Sequence, residues 1–149
     1  MNSFRDFIEI LRKEGKLIEL KKPVSKHLEL AGVLASLDGK AVYTDKIEEN
    51  PGARVVGNLF STRELVCGYF GVESSELIPL LAKAINNPSK PELAKTGPVL
   101  EITEKEVDLS KYPIPFHAEK DGGPYFASAV VIAEDKDLGR NCSFHRMMV

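Results

Sequence analysis

Residues 87–98 hold three prolines, Pro88, Pro91 and Pro98, with Gly97 among them. Proline fixes φ and has no N–H to donate, so neither a regular helix nor a strand ladder runs through such a stretch. The stretch also separates two kinds of pattern. Before it, apolar residues recur every three or four positions; after it, they alternate. This predicts an α+β chain in two parts: 1–98, an N-terminal domain of helices around a small sheet with its linker, and 99–149, the first strands of an antiparallel sheet or barrel.

In the first part, Ser3 followed by Asp6 predicts a helix start, and Phe4, Phe7, Ile8 and Leu11 form one apolar stripe that Gly15 ends. Residues 17–20 predict a short strand. Pro23 and Ser25 predict the opening of a second helix, with its stripe at Leu30, Val33, Leu34 and Leu37 and its end near Gly39. Strands are expected at 41–43 and 54–60, with a turn at 48–52 between them. Ser61 and Glu64 have capping-box spacing, so a helix should run from there to Gly71. Another should span 75–86, provided Pro79 lies in its first turn.

In the second part, residues 99–102 predict a strand, and 108–125 a long irregular loop stiffened by Pro113 and Pro115 and turned by Gly122-Gly123-Pro124. Loops of this length are often functional. Residues 125–133 predict a strand buried on both faces, 135–139 a hairpin turn, and 140–149 a final strand.

The totals exclude several classes. With 43% hydrophobic and 28% charged residues over 149 positions, the chain has globular composition and can bury a core without disulfides. A net charge of -2 gives no general attraction to nucleic acid or anionic membrane. No apolar run reaches the ~18 residues that span a bilayer. The opening residues mix acids and bases, unlike a signal peptide. Cys67 and Cys142 form no metal-type pair, and reduced cysteines in a cytoplasmic protein are the expectation.

Chemistry-bearing residues gather late in the chain. His117, Asp121 and His145 belong to no metal-binding pattern, although a histidine with Asp121 suits acid–base work. Cys142 reads as a small strand residue before it reads as a nucleophile beside His145. Gly122-Gly123 reads as a turn before it reads as a phosphate cradle. The run Asn141-Cys142-Ser143-Phe144-His145-Arg146 differs by density. Polar side chains on a strand need water or partners, so the run marks either a solvated face or a polar site. Period two places Asn141, Ser143, His145 and Met147 on one face, and Cys142, Phe144, Arg146 and Met148 on the other.

Several segments, in order, resemble the UbiD family of reversible decarboxylases. "FRDFIEILRKEGKLIELKKPVS" resembles the family's opening, and "GARVVGNLFSTRELVCGYFGV" the segment that follows it. "YPIPFHAEKDGGPY" resembles the loop before the first barrel strand. "DGGPYFASAVVIAEDKDLGRNCSFHRMMV" resembles the barrel start, in a compact form most like archaeal members. The resemblance covers nearly the whole chain. It implies a split β-barrel of the FMN-binding type, and prenylated FMN held through a divalent metal, usually Mn2+, and K+. It implies a lyase that removes carbon dioxide from an unsaturated or aromatic carboxylic acid. The family motif Asn-x-Ser-Ile-x-Arg stands here as Asn141 to Arg146, with Phe144 in place of the usual aliphatic residue. By this resemblance Asn141 is a metal ligand. Ser143, Phe144, His145 and Arg146 line the flavin, and Arg146 is the catalytic arginine of the proton-handling network. Among archaeal relatives, trans-anhydromevalonate phosphate, on a route to isoprenoids, is the expected substrate.

Asn141 and Arg146 lie five positions apart and so point to opposite faces of a straight strand. Sharing one cofactor requires a bulge, a bend or approach at the strand edge. The family's remaining metal ligands and both glutamates follow this motif. The expectation is therefore the N-terminal part of a longer homo-oligomeric enzyme, inactive by itself, or a chain completed by a second subunit. Two other readings are a non-catalytic assembly module that uses an open strand edge, and a metal hydrolase built on His117, Asp121 and His145.

Overall fold

The computed structural model describes residues 3–90, 92 and 94–149. Pro91 and Leu93, within the expected linker, and Met1 and Asn2, within the opening that was set against a signal peptide, lie outside the described residues.

Ser3 opens α1 (Phe4–Lys13), its hydroxyl accepting the Asp6 N–H at 3.1 Å. Phe7 and Leu11 from the expected stripe are buried with Ala41 and Leu59, and Ile8, Val56, Leu65 and Tyr69 pack around them. Gly15, at φ 67, turns the chain into β1 (Leu17–Glu19). β1 runs parallel to β2 (Ala41–Thr44), which pairs antiparallel with β3 (Val55–Gly57). A parallel pair needs a crossover, supplied by α2 (Glu29–Ser36), whose Leu30 is buried with Val24 and Ile47 in a second cluster.

Four features differ from expectation, each for a structural reason. α2 begins at Glu29, not near Ser25, because the Val24 and Leu28 N–H groups donate elsewhere, to Lys46 O and Phe116 O, each at 2.9 Å. β3 stops at Gly57 because Asn58 takes φ 58, and its amide donates to Leu34 O (2.8 Å) and Leu37 O (3.1 Å) at the end of α2. α3 (Arg63–Phe70) is capped by Thr62, whose hydroxyl accepts the Leu65 N–H at 3.2 Å, while Ser61 turns back to Asn58 O. In α4 (Ser74–Asn86), Pro79 lies in the second turn on the exposed side, where water can satisfy the Ser75 carbonyl that proline leaves without its usual donor. Gly71 ends α3 at φ 68, as expected.

Residues 99–102 are not a strand. Pro98–Leu100 is one 3-10 turn, and Val99, Leu100 and Ile102 are exposed. The long loop is irregular, with a single 3-10 turn at Leu109–Lys111. It docks on the segment before α2 and on the turn between β2 and β3. Asn50 Nδ2 donates to Ser110 O at 2.9 Å, Phe116 N donates to Lys26 O at 3.0 Å, and Ile114 is buried.

β4 (Tyr125–Asp135) and β5 (Gly139–Met148) form a long antiparallel hairpin. Asp135 Oδ1 accepts the N–H groups of Asp137 and Leu138 at 2.8 Å each, and Gly139 closes the turn at φ 80. The expected burial of β4 on both faces is not seen. Val130, Ile132 and Phe144 are exposed, because among the described residues the hairpin is a two-stranded sheet.

Candidate functional site

β5 pairs Asn141 with Ala133, Ser143 with Val131, Phe144 with Val130 and His145 with Ala129. The alternation read from the sequence holds along β5. His145 Nε2 and Ser143 Oγ lie 3.0 Å apart on one face, beside exposed Asn141. Arg146 lies on the other, with its guanidinium over the Tyr125 ring at 4.4 Å and Nη2 3.4 Å from Asp121 Oδ1. Phe144 shares that face and is 81% exposed.

A bulge does occur, but in the partner strand. Phe126 pairs with Met147 and Ala129 with His145, so Ala127 and Ser128 together stand opposite Arg146. A bulge raises local twist and re-aims the side chain across from it. β5 keeps its own alternation, so Asn141 and Arg146 still leave by opposite faces.

Loop 116–124 is laced to the end of this strand. Val149 N donates to Pro124 O at 3.0 Å, and Tyr125 N to Pro115 O at 3.1 Å. Gly122 and Gly123 serve close packing here: a Cβ on Gly122 would meet Met148 Sδ at 3.1 Å. His117 Nδ1 and Asp121 Oδ2 are enclosed with no hydrogen-bond partner among the described residues. Beside the hairpin lies a cleft of about 950 Å3, mostly apolar, bounded by β3, residues 112–115, His117, the first half of β4 and Phe144.

The sequence set Asp121 beside a histidine; the structure pairs it with Arg146. That contact, and the Tyr125 face beneath Arg146, depend on hairpin register across 21 to 25 residues, which local spacing does not reveal. His117, Asp121 and His145 do not converge, and among the described residues no three His, Cys, Asp or Glu side chains gather as a metal set. Cys142 is a free, exposed thiol, and His145 faces Ser143 instead.

What the hairpin offers a ligand is partial. A divalent cation of the hard type takes six or more oxygens, and exposed Asn141 contributes one. Arg146 offers a fixed positive fork suited to carboxylate or phosphate. These donors are of the types a metal and an anion take, and β5 presents them on opposite faces.

Residues 8–85 match the family model for the 3-octaprenyl-4-hydroxybenzoate carboxy-lyase N-terminal domain, and residues 92–149 match the model for that enzyme's Rift-related domain. A protein encoded in the cooM 5′ region of Rhodospirillum rubrum is 40% identical over 149 residues, covering 95% of this chain and 32% of its own length. The anhydromevalonate phosphate decarboxylase of Methanosarcina mazei is 34% identical, covering 99% of this chain and 33% of its own. An evolved dimeric form of the UbiD-class enzyme HmfF from Pelotomaculum thermopropionicum, in complex with prFMN, has TM-score 0.89 at 33% identity, over 98% of this chain and 35% of that one. The chain spans about a third of the length of the curated relatives it matches.

Proposed function

This chain belongs to the UbiD family of carboxy-lyases, and from that premise we propose that it forms the N-terminal part of a prenylated-FMN-dependent decarboxylase acting on an unsaturated or aromatic carboxylic acid. The observation that carries this is the hairpin: Asn141, Ser143, Phe144, His145 and Arg146 stand in motif order on an open strand, with Arg146 already held by Asp121 and Tyr125. In this reading the hairpin begins a split barrel, the first domain is 1–98 and the second 99–149. The family models, which meet between residues 85 and 92, support a division in this region.

Each residue has a role that its chemistry suits. Asn141 would contribute an uncharged oxygen to Mn2+, and K+ would be bound with the same cofactor. Ser143, Phe144 and His145 line the flavin, Phe144 by its backbone and its exposed ring. When bound, prenylated FMN supplies the electron sink that decarboxylation needs. Arg146, with its planar fork of donors, orients the carboxylate group through which a proton replaces carbon dioxide. Because β5 sends Asn141 and Arg146 to opposite faces, a cofactor touched by both would have to reach this strand at its edge. The named archaeal relative supports trans-anhydromevalonate phosphate as substrate, the free cysteines support a cytoplasmic home, and the dimeric HmfF form supports a homo-oligomer.

A second reading is favoured by the same open hairpin: an assembly module that recruits another chain along an unpaired strand edge without catalysis. Expressing the gene's complete reading frame with a prenyl-FMN supply separates the two. Co-purifying flavin absorbance and carbon dioxide release from an unsaturated acid support the enzyme. A protein that stays colourless and inactive under that supply rejects it.

A further inference from the structure

Arg146 stands on an edge strand with more than half its side chain exposed. A long cation so placed samples many rotamers unless something holds it, and a group that orients a reacting carboxylate must be held. Three features converge on it, two from β4 and one from the loop before it. The Tyr125 ring lies beneath the guanidinium, the Ala127–Ser128 bulge faces it across the hairpin, and Asp121 Oδ1 meets Nη2 from the loop side.

Asp121 is the unusual member. Its side chain is only 18% exposed, and its second oxygen is enclosed with no donor among the described residues. Such an oxygen costs stability, while an ion pair with an exposed arginine returns little. Folding stability alone does not account for a carboxylate in this place. The backbone around it is nevertheless fixed closely: Asp121 N donates to Ala118 O at 2.9 Å, Gly122 lets the loop press on Met148, and Phe116 is tied to residues 26–28 beside the three-stranded sheet.

We propose that Asp121 is a positioning residue for Arg146, fixing the direction of its guanidinium while Tyr125 supports its face. The inference rests on the reading of Arg146 as the catalytic arginine. Oδ1 makes the contact seen here. Oδ2 is the acceptor left for a second guanidinium N–H, so the contact can close from one point to a bidentate fork when ligand fills the site.

Two measurements test it. In the 15N-labelled 149-residue chain, without cofactor, the Arg146 guanidinium should rotate more slowly than that of exposed Arg63. Asp121→Asn should abolish the difference, and Asp121→Glu should keep most of it. Equal rotation of Arg146 and Arg63 in the parent chain overturns the inference. In the product of the complete reading frame, Asp121→Asn should lower kcat roughly tenfold with KM and flavin content unchanged, and Asp121→Glu should recover part of the loss. Loss of flavin or of thermal stability with unchanged kcat would make Asp121 a structural staple and overturn positioning. Arg146→Ala keeps the two readings distinct. If it leaves turnover near normal, the catalytic reading of Arg146 fails. If it abolishes turnover while Asp121→Asn changes neither kcat nor rotation, only the positioning inference fails.

Discussion

Asn141 offers a neutral oxygen from an exposed strand, which makes its role separable from folding. In the product of the complete reading frame, Asn141→Ala should lower flavin and manganese content together by about tenfold at limiting metal, with an unchanged melting temperature. Unchanged flavin occupancy would remove it as a ligand. A second effect at this scale lies far from the hairpin. Arg12 donates to Glu19 Oε1 at 2.6 Å and Lys21 to Oε2 at 3.2 Å, and together they hold the Glu19 carboxyl below its usual range. The Lys26 N–H and then the Ser25 hydroxyl do the same for Glu49. The unfolded carboxyl titrates near about 4.3, above the folded value, so this stabilisation is complete above that pH and is lost as pH falls through the lowered folded value. Melting temperature should therefore drop on acidification below that point, and Glu19→Gln should flatten part of the drop; coincident profiles would contradict the assignment. The polar run from Asn141 to Arg146 was visible in the sequence because so many hydrogen-bonding groups crowd one strand. Asp121's partner was not, because the ion pair exists only once hairpin register and the bulge are set.

Elements with a local cause were readable, and those set by distant partners were not. Ser3 capping α1 and Gly71 ending α3 follow from short-range chemistry and stand as expected. The start of α2 does not, because residues 24–28 exchange backbone hydrogen bonds with residues 46 and 116, which no local pattern reveals. β3 shows the same dependence at its last residue. A Cβ on Gly57 would lie 2.5 Å from Leu34 Cδ2 and 2.9 Å from Cδ1, so α2 sits against this strand only where the strand has no side chain. Gly57→Ala should destabilise the chain by about 1–3 kcal/mol in urea unfolding. Because the two positions touch, adding Leu34→Ala should cost less in the Gly57→Ala background than alone. Strictly additive losses would show that the approach is not what constrains the pair.

At the scale of the whole molecule, the sequence pattern of β4 and the exposure of β4 disagree in an informative way. Alternating apolar faces predict burial on both sides, and among the described residues Val130, Ile132 and Phe144 lie open. The chain spans about a third of the length of the curated relatives it matches. The first part differs: its two apolar clusters close within the assembly of α1, α2, α3 and the three-stranded sheet, which is why its fold was legible from the sequence. On the proposed function, the β4–β5 hairpin supplies only some of the groups that a prenylated-FMN site needs. One asparagine oxygen leaves a divalent ion to draw most of its six or so ligands from water, and one exposed arginine holds a phosphate weakly. Titrating the 149-residue chain with prenylated FMN and Mn2+ by calorimetry, with sedimentation to establish that it is monomeric, tests this directly. The prediction is a Kd on the order of millimolar or no detectable heat; binding at about micromolar or tighter by the monomer would contradict the account.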